Sequence, residues 1–445
     1  MMRRFLRQSA AWMLKGTLAL GLLGPAVLLT AQPSQTDKII KFFQGRISQD
    51  PEDFSNYDRL GTAYLQKGRE SGDLAYYELA EKALHKSLEL ATAEQAVSPR
   101  LHLAATLFGE HRFRESLELA RQALASEPKA ISGNAILGDA YLEIGDYDQA
   151  AAAYGKLRKQ GDEWDRELTY LRESRLANLN FFRGEPQAAI VHMQRAVRAT
   201  TETDLPKENV AWSQYTLGEY YWQTGDLKHA WAAGEAALAA YPGYHRALAL
   251  EAQVRAAQAR YPEAIALYKK ALSAVPLPAY AVALGDIYNK IGNTSEAKKQ
   301  FDLVEYIARL SALSKTVYNR ELAMFYADHD RNLDQAATLT EKELEVRHDV
   351  YTWDARAWTL YKNGKAKEAL APLRRALEPG ARDAMLYFHA GLIYHSNGDA
   401  TMSEKFLQQS LAINPHFHVL YATMARKTLA AIHQGKAARE QARNE

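Results

Sequence analysis

Between about residue 50 and residue 418 the chain alternates helical hydrophobic patterns with short breakers. The stretch ALGDIYNKIGNTSEAKKQFDLV, Ala283 to Val304, shows one cycle. It carries two small residues, Gly285 and Ala297, twelve apart, with Tyr288 between them and Phe301 after them. The breakers are Gly145-Asp146, Gly225-Asp226, Gly292-Asn293, Gly364-Lys365 and Gly398-Asp399. Gly or Asn just past a helix takes a left-handed backbone at little steric cost, so each breaker separates two helices. The pattern predicts helical hairpins and no strands.

The same cycle recurs along the chain. The first small position is Gly61, Ala104, Gly138, Ala177, Gly218, Ala252, Gly285, Ala323, Ala357 and Gly391. The second is Ala80, Ser116, Ala150, Ala189, Ala230, Ala264, Ala297, Ala336, Ala369 and Ser403. The offset between them is twelve in eight of the ten units, thirteen from Ala323 to Ala336, and nineteen in the first. A period near 34 means stacked supersecondary units, so residues 51–418 are one array. Two helices cross closely only where a side chain is small, so Gly285 is expected to face Ala297, with Tyr288 and Phe301 filling the space beside them. Pro128, Pro242, Pro276 and Pro415 each fall twelve residues after a second small position and close the second helix.

These residues resemble the tetratricopeptide repeat family. The match rests on Leu137-Gly138 with Tyr141, Leu217-Gly218 with Tyr221 and Leu284-Gly285 with Tyr288. The later alanine, the aromatics Tyr154, Tyr268 and Phe301, and the closing prolines agree in register. The resemblance implies an all-α protein, a right-handed α-solenoid of about ten hairpins. A capping helix is expected over 419–433 and a frayed tail over 434–445, because such arrays need a polar terminal cover. Extra residues in the first unit (Gln66 to Asp73) and longer connections near Arg158–Thr169, Ala199–Asn209 and Ala308–Lys315 depart from the family pattern.

The N-terminus adds an expectation about location. Arg3, Arg4, Arg7 and Lys15 precede an uncharged run, Gly16 to Ala31, followed by Gln32-Pro33-Ser34. Residues 1–31 therefore read as a signal peptide or an N-terminal anchor, and 32–50 as a linker. Either reading exports the remainder, to the periplasm or outside the cell, or leaves it anchored to the inner membrane facing the periplasm.

Charge and composition narrow the chemistry. Lysine plus arginine number 55 against 53 for aspartate plus glutamate, which argues against a nucleic-acid partner held by phosphate contacts. With no cysteine, thiolate metal sites, disulfides and cysteine nucleophiles are excluded. No phosphate-binding loop, dinucleotide fingerprint, serine elbow or zinc-helix motif occurs, so no catalytic residue, cofactor or metal is expected. Asp328-His-Asp330-Arg-Asn332 copies the start of a calcium loop, but Leu333 replaces the turn glycine and Leu339 the bidentate glutamate. His389 with His395, and His416 with His418, are better placed for packing or hydrogen bonding than for metal ligation.

What remains is surface. Counting the first small residue as eighth, the resemblance implies that positions 2, 5, 9 and 12 of each unit point into the inner groove. Those positions give Trp212, Tyr215, Glu219 and Trp222 in the fifth unit, and Tyr351, Asp354, Trp358 and Tyr361 in the ninth. The tenth gives Met385, Phe388, Leu392 and His395, and the fourth ends in Phe181 and Phe182. Groove aromatics offer contact area at low entropy cost. At position 5 only Arg320 is basic, so a clamp for a terminal carboxylate is not expected. The expected function is a non-enzymatic adaptor that binds peptide or helical segments of a protein partner in the concave groove, with membrane association possible through the N-terminus. The alternative is a self-assembling scaffold of stacked arrays.

Overall fold

The computed structural model describes residues 34–158, 165–201, 205–313 and 319–444. The segment expected as a leader or anchor, residues 1–31, lies outside these residues. Among the described residues all regular structure is helical. A first helix, α1 (Gln35–Gln49), occupies the segment expected as a linker. It forms because Ser34 and Asp37 make a reciprocal capping box and Thr36 and Ile40 give it a buried face.

Ten hairpins follow, each a first and a second helix. They are α2 (Phe54–Ser71) with α3 (Ala75–Leu90), α4 (Val97–Gly109) with α5 (Phe113–Ser126), and α6 (Ile131–Glu143) with α7 (Tyr147–Tyr154). Next come α8 (Arg166–Phe182) with α9 (Pro186–Thr200), α10 (Lys207–Gln223) with α11 (Leu227–Ala240), and α12 (His245–Ala257) with α13 (Tyr261–Ala274). The last four are α14 (Pro278–Lys290) with α15 (Thr294–Leu313), α16 (Asn319–Asp328) with α17 (Leu333–Glu343), α18 (Val350–Lys362) with α19 (Ala366–Leu377), and α20 (Ala384–Ser396) with α21 (Ala400–Ile413). A terminal helix, α22 (Tyr421–Asn444), is longer than the expected cap and takes in the stretch expected to fray. The extra residues of the first unit lengthen α2 rather than a loop, ending at Gly72 in the left-handed conformation.

Every small position falls at a helix crossing, and all ten second positions are buried. The contact differs from the expected one in a consistent way. A Cβ on Gly285 would overlap the ring of Phe301, one on Gly138 the ring of Tyr154, and one on Gly391 the side chain of Leu407. The first small residue therefore makes room for the large residue four positions beyond the second small one. In the fifth unit that position is the small Gly234, and Leu250 from the next unit fills the space against Gly218 instead. In the second unit the serine meets the first position directly: Ser116 Oγ donates to the Ala104 carbonyl at 2.7 Å.

The turns follow an equally regular rule. In every unit but the first, seven residues after the first small position the backbone turns left-handed, as at Gly145, Gly225 and Gly292, with φ near +80°. His111, Ala259 and Asp330 hold the same position in units that lack the glycine.

The superhelix then closes on itself. The turn of one unit reaches the connection that follows the unit five further on. Gly72 lies against Val275, His348 N–H donates to the Glu143 carbonyl at 3.0 Å, and Val350 N–H to the Tyr147 hydroxyl at 3.1 Å. Phe182 meets Tyr351 edge-on at 5.5 Å, and Asn414 Nδ2 donates to the Trp222 carbonyl at 2.8 Å. At Gly184 the backbones come so close that a Cβ would overlap the carbonyl oxygen of Gly380.

Candidate binding chamber

Closure turns the inner groove into a chamber of about 500 Å3 between the fifth to tenth units and the connection into α22. Its wall is mixed. Trp222, Val282, Ile287, Met324, Phe325 and Phe417 supply apolar surface, and Asp286, Glu321, Asp328, Asp354 and Asp383 supply carboxylates.

Each carboxylate is held differently. Asp286, on α14, lies 2.9 Å from His329 Nε2 and 3.3 Å from His418 Nε2. Burial alone would raise its pKa, but the hydrogen bonds and charges of the two histidines bring it down to about 2. His329 also places Nδ1 2.8 Å from the Phe325 carbonyl, so both ring nitrogens face acceptors, as an imidazolium requires. Its pKa accordingly sits above the ordinary value: burial pulls down, and Asp286 outweighs it. Asp354 is bonded to Nδ1 of the fully buried His389, 2.9 Å away. His389 stacks on Trp358 at 4.1 Å, and its Nε2 has no hydrogen-bond partner. Asp328 accepts the Trp358 indole N–H at 2.7 Å, and burial raises its pKa. Asp383 caps α20 through the Met385 and Leu386 amides and is likewise raised by burial.

Family models match the chain in two forms, both described as tetratricopeptide repeat. One matches residues 167–243, the other 102–163, 215–278 and 355–416, together more than half of the chain. The chain belongs to the tetratricopeptide repeat family. Among curated proteins nothing matches. Solved structures that are similar include the Cut9–Hcn1 hetero-tetramer of APC/C, 14% identical over 90% of this chain and 96% of that one, TM-score 0.34. A tetratricopeptide repeat protein from Parabacteroides merdae is 16% identical over 60% and 99%, TM-score 0.34. Yeast Tom70 is 15% identical over 87% and 97%, TM-score 0.33.

The tetratricopeptide register accounts for much of the chamber wall. Position 12 of the fifth unit is Trp222, and positions 9 and 12 of the sixth are Gln253 and Ala256. Positions 2, 5 and 9 of the seventh are Ala279, Val282 and Asp286, and positions 5 and 9 of the eighth are Arg320 and Met324. Tyr351 and Asp354 come from the ninth unit and Met385 from the tenth.

The aromatic residues singled out in the sequence mostly do not face it. Phe181 stacks on Tyr220 at 4.7 Å, and Phe388 on Tyr421 at 4.9 Å, both in the core. Phe182 serves the seam between turns, and Trp358 is buried, with His389 stacked on it at 4.1 Å and Tyr361 at 5.1 Å. Trp212 and Tyr215 are half-buried among α9 to α12, and Arg246 lies over the Tyr215 ring. Glu219 has an unpartnered Oε1, and burial, opposed by Arg246, raises its pKa to about 7. His395 is exposed and apart from His389. Of those aromatics Trp222 and Tyr351 line the chamber, and Trp222 is buried rather than open to the groove. The reason is Asn414 and Pro415, which cover the fifth turn from the far end of the chain.

Arg320 is not a free basic group: it pairs with buried Asp349 at 2.9 Å. The calcium-like stretch is a hairpin turn, with Asp328 on Trp358 and Asp330 paired to Lys362. Among the described residues no cluster of histidines and acids is arranged to hold a metal ion, and no helix is long and apolar enough to cross a membrane. As a tetratricopeptide array the chain is a protein-interaction scaffold.

Proposed function

We propose that this array is a non-enzymatic adaptor that takes an extended segment of a partner protein into the chamber formed where the superhelix closes on itself. The supporting observation is convergence. Register positions of six consecutive units meet around one cavity, and two hydrogen-bonding atoms in its wall, His389 Nε2 and Gln253 Oε1, lack partners. A volume of about 500 Å3 falls in the range of ligand pockets and admits a few side chains of an extended chain, not a folded domain. The test is site-specific photo-crosslinking in the native cell, with the reactive residue at Met324 inside the chamber or at exposed Lys298 outside it. Adducts to a partner peptide from position 324 and none from 298 are expected. Adducts confined to 298 contradict the reading.

The proposed setting is outside the cytoplasm, on the strength of the basic and apolar N-terminal residues alone. N-terminal sequencing should find mature protein starting near Gln32, or an intact N-terminus in the membrane fraction. An intact Met1 on soluble cytoplasmic protein contradicts export.

A further inference from the structure

The chamber's charges do not balance. Asp286 is matched by His329 and His418, and Asp354 by His389. Arg320 is engaged by Asp349 at 2.9 Å and lies 3.9 Å from Glu321. Asp383 is satisfied by two backbone amides at the start of α20. Asp328 has no cation in direct contact, although the imidazoles of His389, His418 and His329 lie near enough to favour its charged form. The Trp358 indole N–H reaches its Oδ1, and the Tyr421 hydroxyl donates to its main-chain carbonyl at 3.1 Å. A half-buried carboxylate with no directly paired cation is costly, and a cation supplied from outside relieves it. The same wall carries a second, independent sign of a missing ligand: the Nε2 of His389, a fully buried residue, has no partner. Gln253 Oε1, buried in the same wall, also lacks a partner. An extended peptide presents backbone hydrogen-bonding groups for such atoms, and Val282, Met324 and Phe325 suit the methylene stem of a long basic side chain.

We propose that the chamber selects a segment carrying a lysine or arginine, with the cationic end of that side chain on Asp328 and the neighbouring main chain bonded to His389 and Gln253. This inference rests on the reading of the chamber as the partner site. It specifies an occupant by charge complementarity.

The test uses the full chain and four fluorescein-labelled peptides, Ala-Ala-Xaa-Ala-Ala with lysine, arginine, alanine or glutamate at the centre, read by fluorescence anisotropy. The lysine and arginine peptides should bind at least about tenfold tighter than the other two, the value of one well-placed charge contact. Asp328→Asn keeps an oxygen for the Trp358 N–H and should erase the preference without changing the melting temperature much. Met324→Lys puts an ammonium inside the chamber and should weaken both basic peptides independently of that variant. Asp330→Asn, in the neighbouring exposed turn, should change nothing. Equal binding of all four peptides overturns the charge inference and leaves the segment reading standing. A lysine preference that persists in Asp328→Asn also overturns it. Failure of every peptide to saturate overturns it too, and with absent crosslinks at position 324 removes the segment reading as well. Competition by n-butylamine as effective as by the lysine peptide would assign the site to small amines and contradict a peptide occupant.

Discussion

Gly285 and Phe301 set the distance between the helices of the seventh unit. A methyl group on Gly285 would overlap a buried ring, so Gly285→Ala should destabilise by about 1–2 kcal/mol, although alanine gains about 1 kcal/mol in helix propensity over glycine. Gly45 lies in α1 with nothing within 4 Å of its would-be Cβ, so Gly45→Ala should stabilise by about 0.5–1 kcal/mol. Thermal melts of the two variants, moving in opposite directions, check the assignment. Ala297→Leu should cost about 1–3 kcal/mol by overpacking the same crossing. Ala259 provides the converse test: it is exposed and sits at φ +58° where most other units place glycine. Ala259→Gly should raise stability by about 1 kcal/mol. The small, large, small, large order was legible in the sequence because each position has one steric role. Which large residue fills which gap was not, because residues four apart lie on the same helix face and periodicity alone does not choose between them.

At the scale of elements, Asp286, His329 and His418 tie α14 and α16 to the connection that leads into α22. His329 has a folded pKa above its unfolded value of 6.5, so its contribution is complete below about 6.5 and is lost as pH rises through the raised value. Asp286 has a folded pKa of about 2 against 3.8, so its contribution is present above about 3.8 and is lost as pH falls toward 2. The tie is therefore strongest between about pH 4 and 6.5. Asp286→Asn should cost about 3 kcal/mol near pH 5.5 and clearly less at pH 9, by denaturant unfolding at both values. An equal loss at both would contradict the ion pairing. The sequence placed Asp286 in the groove by register. It did not show the histidines, because His418 arrives from more than a hundred residues downstream.

The whole molecule departs furthest from the expected open groove. A tetratricopeptide array is built from neighbour contacts, and the sequence showed those through its period. The seam joins units five apart, and its contacts are carried largely by backbone groups at turns, which leave little trace in residue type. Gly184 against Gly380 and His348 N–H on Glu143 are contacts of that kind. Trp222 looked available for the same reason, since the groups that cover it lie 192 residues away. Asn414→Ala removes the buried donor to the Trp222 carbonyl and should cost about 1–3 kcal/mol, read as earlier melting. Closure of the superhelix is the claim on which the chamber and its ligand depend. The chain has no cysteine, so spin labels can be placed at Asp148 and Glu378 alone, two exposed positions that line one cleft across the seam between the third and ninth units. Double electron–electron resonance should give a single narrow distribution at short separation. A broad distribution at long separation, as in an open spiral, would contradict the closed array and the enclosed chamber with it.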